Sequence, residues 1–302
     1  MGPALRRPVA LSLEMFERDV QAVMDEFLAG AVTEADLMKD ARPWPNYVVD
    51  YRPLVLAARE AGAPVVCANA PRRYVSLVGR HGAAALNSLP PASRANLPPL
   101  PLRPPSEMYA AKIAWTMQVR GAQLRSNATT SAAAGGSATA GSSGKVCPHI
   151  GLGVRSNFLD AQNLWDAAMA DSIARALRQL RARGTADGGG GGGEAGGNPL
   201  VVHVCGKFHS EQRLGICEHL APAAAEAQTR EEADGSGRGA TAAAGACGAA
   251  APRVCVVTFV PSGRGVAVGR ETLTSAGLHT YGDWLVLTDA KLPRSFESEH
   301  PV

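Results

Sequence analysis

Short apolar runs alternate along the chain with longer segments in which apolar residues recur at helical spacing. Runs such as VALSL at residues 9–13 and PVVCA at residues 64–68 are typical of buried strands. In MFERDVQAVMDEFL, which follows the first run, apolar residues fall three or four positions apart, and this spacing predicts an amphipathic helix. Strands that alternate with helices favour an α/β fold, in which a mainly parallel sheet is flanked by helices.

The remaining predicted elements continue this alternation. Further helices are predicted at residues 51–62, 106–120 and 157–183, and further strands at residues 200–205, 254–260 and 284–287. Local signals mark some of the element ends. Gly30 is placed to end the first helix, and Thr33 with Asp36 resembles a capping box for a short second helix.

Three stretches have a composition that cannot contribute to a packed core. They cover residues 126–144, 184–197 and 221–251 and are rich in Ala, Gly, Ser and Thr, with six consecutive glycines in the second stretch. Such sequences bury too little apolar surface to offset the entropy lost on ordering, so we expect flexible insertions. Ordered patterns resume after each insertion, and we therefore interpret residues 1–302 as a single domain.

The composition excludes several classes of protein. The 302 residues are 46% hydrophobic with a formal net charge of +3, and no basic stretch is interleaved with aromatic residues, so nucleic-acid binding is not predicted. No apolar run approaches the roughly 20 residues that a transmembrane helix needs. The six cysteines form neither a C-x-x-C pair nor a disulfide-type spacing, which indicates a soluble protein of a reducing, intracellular compartment.

The segment LVVHVCGKFHSEQRLGICEHL at residues 200–220 contains the best candidate for a functional side chain. An apolar strand ends there, and Gly206 is predicted to permit a tight turn before His209. Ser210 is a suitable N-cap for the helix expected next, whereas His203 in mid-strand is interpreted as a core residue. Because ligands meet parallel sheets at the carboxyl ends of strands, His209 is placed to coordinate a metal or haem iron, or to transfer a proton.

Two further candidates are polar residues predicted to follow the first and second strands. Glu14 comes directly after VALSL, where a carboxylate beside a helix N-terminus acts as a base or metal ligand, or simply caps the helix. Asn69 occupies the corresponding place after the second strand, and its amide either orients a ligand or satisfies backbone groups of the turn. Position alone leaves both alternatives open for each residue.

Arg72, Arg73 and Tyr74 begin the helix that Pro71 is expected to open. The helix dipole disfavours arginine in a first turn, and a bound carboxylate, propionate or phosphate would offset that cost. Arg72 is the preferred anion ligand, since both arginines cannot face one site. Tyr74 is either a phenolate ligand of ferric iron or a packed tyrosine with its hydroxyl at the surface.

Several ordered segments together resemble the ChaN-like family of haem-binding proteins, which belongs to the Tiki/TraB superfamily. The resemblance rests, in chain order, on LSLEMFERDVQ, RPWPNYVVDYRPLVLAAREAGAPVVCANAPRRYV, LPPLP, LWDAAMADSI, VVHVCGKFHSEQRLGICEHL and WLVLTDA. Within it, residues 206–209 (GKFH) match the superfamily's G-x-x-H motif, and Glu14 matches the later of its early glutamates. Family members normally open with a strand that ends in a G-E-x-H-type motif. Nothing here matches that motif, so we expect the first strand to be missing.

The resemblance implies an α/β domain that binds haem or a related tetrapyrrole for iron or haem uptake, storage or handling. In that case Arg72 meets a propionate, while His209 or Tyr74 meets the iron. The expected cofactor-binding residues are His209, Tyr74, Arg72, Asn69, Gly206 and Ser210. The resemblance to plant-type members favours the chloroplast, and a homodimer is a further expectation.

Two other functions are compatible with the same residues. One is a metal-dependent hydrolase of the Tiki/TraB type, in which Glu14 and His209 bind a divalent metal or act as acid and base. Catalytic metals usually have three protein ligands, so this hypothesis depends on the missing strand. The other is a vestigial binding module without catalysis. Whether the protein is an enzyme stays open, with non-enzymatic haem binding as the favoured hypothesis.

Overall fold

The computed structural model describes residues 7–118, 157–186, 198–221, 252–262 and 270–291. The strands are β1 (Val9–Glu17), β2 (Val65–Asn69), β3 (Leu200–Val204), β4 (Val257–Ser262) and β5 (Trp284–Asp289). The helices are α1 (Gln21–Leu28), α2 (Glu34–Asp40), α3 (Arg52–Glu60), α4 (Arg72–His81), α5 (Pro91–Arg94), α6 (residues 107–118), α7 (Phe158–Ala186), α8 (Ile216–Leu220) and α9 (Arg270–Ser275). Strands and helices alternate and the described strands pair in parallel, which confirms the predicted α/β class.

The central element is a three-stranded parallel sheet with the order β2-β1-β3. Leu13 of β1 lies opposite Cys67 of β2 on one side and Val204 of β3 on the other. The carboxyl ends of the three strands therefore meet at one edge of the sheet. Strands β4 and β5 form a separate parallel pair, so the described strands make two sheets rather than the one expected from the sequence.

Helices cover both faces of the three-stranded sheet. Alternate residues of β1, namely Leu11, Leu13 and Met15, pack in a core cluster with α1 and α3. The residues between them, Ser12 and Glu14, belong to the opposite face of the strand, because successive side chains alternate. That opposite face is covered by α7, whose Leu164, Trp165 and Met169 form the second core cluster with residues of β2 and α4.

The first strand is longer than the sequence pattern predicts, and this corrects the start of the first helix. The predicted helix begins near Met15, but β1 continues to Glu17 and α1 begins only at Gln21, after a short 3-10 turn. As the central strand, β1 is buried on both faces, and such strands are long apolar runs without alternation. The capping box of Thr33 and Asp36 is confirmed at the start of α2.

The three predicted insertions fall mainly outside the described residues. The first, at 126–144, lies wholly outside them. Helix α7 continues to Ala186, three residues into the second insertion, and residues 187–197 and 222–251 lie outside. Among the helices that the structure describes, none combines the length and the apolar character that crossing a membrane requires.

Candidate functional site

His209 lies at the carboxyl end of β3, in a 3-10 turn formed by residues 207–209. Its side chain is only 3% exposed, and the rings of Trp165 and Phe208 contact the imidazole edge-on. Nδ1 lies 2.6 Å from Oδ1 of Asp166, which is fully buried on α7. With Nδ1–H as donor and the carboxylate oxygen as acceptor, this bond fixes the orientation of the ring.

Asp166 also accepts a hydrogen bond from the hydroxyl of Tyr109 on α6. Burial, followed by the nearby Asp166 carboxylate, raises the pKa of Tyr109 far above its ordinary value. The tyrosine therefore stays neutral and keeps its proton for the bond to Asp166. Tyr109, Asp166 and His209 form a continuous buried chain of hydrogen bonds that joins α6, α7 and the end of β3.

Glu14 completes this cluster, but not from the position that the sequence predicts. It lies inside β1 rather than after it, and it is 1% exposed. Its Oε2 accepts a hydrogen bond of 2.6 Å from the backbone N–H of Gly206, and its Oε1 lies 3.5 Å from Nε2 of His209. The alternative of a solvated glutamate that caps the helix after β1 is therefore wrong, and the carboxylate belongs to the His209 cluster.

Gly206 and Ser210 lie beside His209, but neither has the local role that the sequence predicts for it. The backbone of Gly206, with φ −58° and ψ 134°, is one that any residue adopts, so no left-handed turn requires glycine there. Ser210 makes no capping bond, and the next α-helix, α8, begins only at Ile216 with Gly215 as its N-cap. The predicted N-cap role of Ser210 is wrong because two short 3-10 turns intervene between β3 and α8.

The amide of Asn69 binds backbone groups at the same edge of the sheet. Its Nδ2 donates to the carbonyl oxygen of Glu14 at 3.1 Å, and its Oδ1 accepts from the N–H of Ala70 at 2.9 Å. Of the two alternatives for this residue, the structure shows the backbone-satisfying one. Asn69 ties the end of β2 to β1 at the residue that carries the buried carboxylate.

Tyr74 and Arg72 lie on α4, and their surroundings differ from those of the His209 cluster. The ring of Tyr74 is buried in the core cluster that contains Trp165, and its hydroxyl accepts a hydrogen bond of 3.1 Å from Arg73. The Arg73 guanidinium also stacks on the ring of Tyr74 at 4.4 Å from the ring centroid and pairs with Asp19. Arg72 is exposed at the first position of α4.

Lys112 of α6 holds the turn that carries His209. Its Nζ donates to the carbonyl oxygen of Phe208 at 2.6 Å, lies 3.4 Å from Oε1 of Glu211 and approaches the Phe208 ring at 4.5 Å. Burial lowers the pKa of Lys112, and Glu211 opposes that shift. Helix α6 therefore contacts the site at two points, through Tyr109 at Asp166 and through Lys112 at the turn.

Sequence reasoning missed Asp166, Tyr109 and Lys112. Asp166 stands in LWDAAMADSI, within a helical stretch of which residues 161–170 are all buried. A charged residue inside such a fully buried stretch is a usable signal, because a buried carboxylate needs partners. Tyr109 and Lys112 carry no comparable local signal, since their partners are 57 and 96 residues away in the chain.

Comparison with known protein families gives a match whose extent includes this whole site. Residues 3–220 match the model of the family described as haem-binding uptake, Tiki superfamily, ChaN. The chain belongs to this family. Strands β4 and β5 lie outside the matched residues of this ChaN family member. Neither a curated protein nor a solved structure matches the chain.

The description of the ChaN family names haem as the bound group, and one feature of the His209 cluster suits it. The bond from Nδ1 to Asp166 suits an iron-ligating histidine, since such histidines donate their other ring N–H to a carboxylate or carbonyl. The space at Nε2 does not suit a macrocycle. Glu14 lies 3.5 Å from that nitrogen, and both side chains are buried, so the site as arranged does not accommodate haem.

Proposed function

We propose that this ChaN family member binds haem or a related tetrapyrrole and serves in iron or haem uptake, storage or handling. The observation that carries the proposal is the family match over residues 3–220, which includes all the elements of the His209 cluster. The oriented imidazole of His209 supports it as the candidate iron ligand, because Asp166 holds Nδ1 as the carboxylate partner of an iron-ligating histidine does.

Haem ligation by His209 requires the site to open. The Glu14 carboxylate at 3.5 Å has to move away from Nε2, and the packing around the imidazole has to loosen, because the ring is only 3% exposed. Tyr74 is the second candidate iron ligand, through its phenolate, and Arg72 is the candidate partner of a propionate. Location in the chloroplast and a homodimer stay predictions from the resemblance.

Titration of the purified full chain with hemin, followed by its absorption spectrum, tests the proposal. We expect a Soret band with the wild-type protein and a weaker or shifted band with His209→Ala. His81→Ala is the matched control, since His81 is an exposed histidine on α4. A normal spectrum for His209→Ala combined with a changed one for Tyr74→Phe would assign the iron to Tyr74. No spectral change with wild-type protein would refute haem binding.

A second candidate function is a metal-dependent hydrolase that uses the same pair of residues. Two ligands of one tetrahedral ion, each about 2.1 Å from it, lie roughly 3.4 Å apart. Oε1 of Glu14 and Nε2 of His209 are separated by 3.5 Å, so this geometry is compatible with an ion between them. The described residues contain no group of three or more His, Cys, Asp or Glu side chains that could hold a metal.

Calorimetric titration with zinc and with manganese separates this function from haem binding. The hydrolase hypothesis predicts stoichiometric uptake that is lost in both Glu14→Gln and His209→Ala and kept in His81→Ala. Equal uptake by all of these proteins would place the metal elsewhere and remove the specific support for the hydrolase.

A further inference from the structure

Two adjoining cavities run along the open edge of β2, away from the His209 cluster. The larger has a volume of about 380 Å³ and the smaller about 180 Å³, and both are lined by Pro64 and Arg183. Pro64 and Val65 mark the amino end of β2, whereas His209 lies where β3 ends. We call this pair of cavities the β2 groove.

The lining of the β2 groove carries an excess of positive charge. Its charged residues are Arg18, Arg59, Arg175, Arg183 and Asp25, the last being the only acid among the described residues that line it. Asp171 is not part of the lining, and its carboxylate is shared by two of the arginines. Its Oδ2 contacts Arg18 at 2.7 Å and Arg175 at 2.8 Å. One shared carboxylate does not neutralise two guanidinium groups, so the groove is electropositive.

Arg18 is the buried member of this set. Its side chain is only 8% exposed, yet it lines the larger cavity. Nε donates to Ser172 at 2.8 Å, and Nη2 donates to the carbonyl of Ala168 and to Asp171. Nη1 has no acceptor within the part of the chain that the structure describes. Nη1 is shielded from the cavity, so Arg18 contributes a fixed positive charge to the wall of the groove, and that charge favours an anion bound there.

The backbone edge of β2 is already hydrogen-bonded, so the groove fits a small ligand rather than an added peptide strand. Gln21 already pairs with the edge of β2, because its Oε1 accepts from the N–H of Cys67 at 2.7 Å and its Nε2 donates to the carbonyl of Val65 at 2.8 Å. An added strand would find these backbone groups taken. Guanidinium groups bind carboxylates and phosphates through paired, charge-assisted hydrogen bonds.

We propose that the β2 groove is a binding site for a small molecule that carries an oxyanion, either a phosphate or a carboxylate group. Arg175 and Arg183, eight residues apart on α7, bind the oxyanion through their exposed guanidinium groups, and the charge of Arg18 strengthens the positive potential of the wall. The site is independent of haem binding, since it shares no residue with the His209 cluster.

The test is calorimetric titration of the full chain with inorganic phosphate and, separately, with succinate, at constant low ionic strength. The informative variants are Arg175→Gln and Arg183→Gln, because both side chains are exposed and their replacement leaves the core intact. The matched controls are Arg178→Gln and Arg181→Gln, which remove the same charge from exposed positions of α7 outside the groove lining.

We expect at least one of the two anions to bind the wild-type protein and to lose about tenfold or more in affinity in each groove variant, with the controls within about twofold of wild type. The anion that binds more tightly identifies the source as phosphate or carboxylate. Absence of binding by both anions would overturn the proposal. Equal weakening in groove variants and controls would overturn it too, since that result indicates a general charge effect.

Discussion

Gly215 gives the sharpest test of how tightly the His209 cluster is packed. It is the N-cap of α8, with φ 62° and ψ −112°, a conformation that residues with a Cβ rarely adopt. A Cβ built there would lie 2.6 Å from Oδ2 of Asp166 and 2.7 Å from the carbonyl oxygen of His209. Substitution of Gly215 by alanine therefore forces the carboxylate that orients His209 to shift.

Gly62 provides the matched control. It also has a positive φ, of +64°, but a Cβ added there meets nothing within 4 Å. Gly62→Ala should therefore lower the free energy of unfolding by about 1–2 kcal/mol, the cost of the left-handed backbone alone. In Gly215→Ala the contact also disturbs the bonds of Asp166 to Tyr109 and His209, which adds about 1–3 kcal/mol for buried hydrogen bonds. The expected difference between the two variants is about 2 kcal/mol.

Urea denaturation at neutral pH, followed by circular dichroism, measures both losses against the wild-type protein. Gly215→Ala should unfold at a clearly lower urea concentration than Gly62→Ala, with an unchanged dependence on denaturant. Equal destabilisation of the two variants would refute the reasoning. It would mean that the carboxylate of Asp166 yields freely and is not fixed by its two partners.

Three further changes have expected outcomes. Asp166→Ala should lower the free energy of unfolding in urea by about 3–5 kcal/mol, because it leaves buried partners of the carboxylate unpaired. Thr33→Ala should cost about 1 kcal/mol in the same assay, since it removes the capping box of α2. Burial lowers the pKa of His203 from 6.5 to about 4, so the unfolded chain takes up the proton first as the pH falls. The free energy of unfolding should therefore fall as the pH is lowered from 6.5 to 4. In His203→Gln this fall should be smaller by up to about 3 kcal/mol, as measured by unfolding curves across the same pH range.

Each of these expectations has a contrary result. A loss below about 1 kcal/mol for Asp166→Ala would mean that water reaches its partners. An unchanged stability for Thr33→Ala would mean that the start of α2 is held by other contacts. Parallel pH profiles of wild type and His203→Gln would show that His203 does not titrate differently in the folded and unfolded states.

The alternation of strands and helices could be predicted from the sequence because it depends on local information. Periodicity located β2 and α7 to within a few residues, and the capping box at Thr33 was recognisable from two side chains three positions apart. His209 was also recognisable, since a glycine and a histidine after an apolar strand form a local pattern. Local patterns of this kind describe which residues sit at the edge of the sheet.

The composition of the site could not be predicted in the same way, because its partners are distant in the chain. A carboxylate at Glu14 suggests the end of a strand when only its neighbours are considered. In the structure β1 continues through Glu14, and the buried carboxylate accepts a hydrogen bond from the N–H of Gly206, 192 residues away. The same holds for Asp166, which is 43 residues from His209 and stands in a helix whose pattern indicates only packing.

The packing around the cluster indicates which of its elements is held least firmly. Strands β1 and β3 and helix α7 belong to the sheet and its two main core clusters, so displacing any of them disrupts the fold. Helix α6 instead packs in a small separate cluster, in which Tyr109, Ile113 and Leu214 are the buried members. Its polar ties to the site are the bonds of Tyr109 to Asp166 and of Lys112 to the turn. Fewer buried apolar side chains of α6 than of α7 belong to a core cluster, so displacing α6 is expected to cost less free energy than displacing α7.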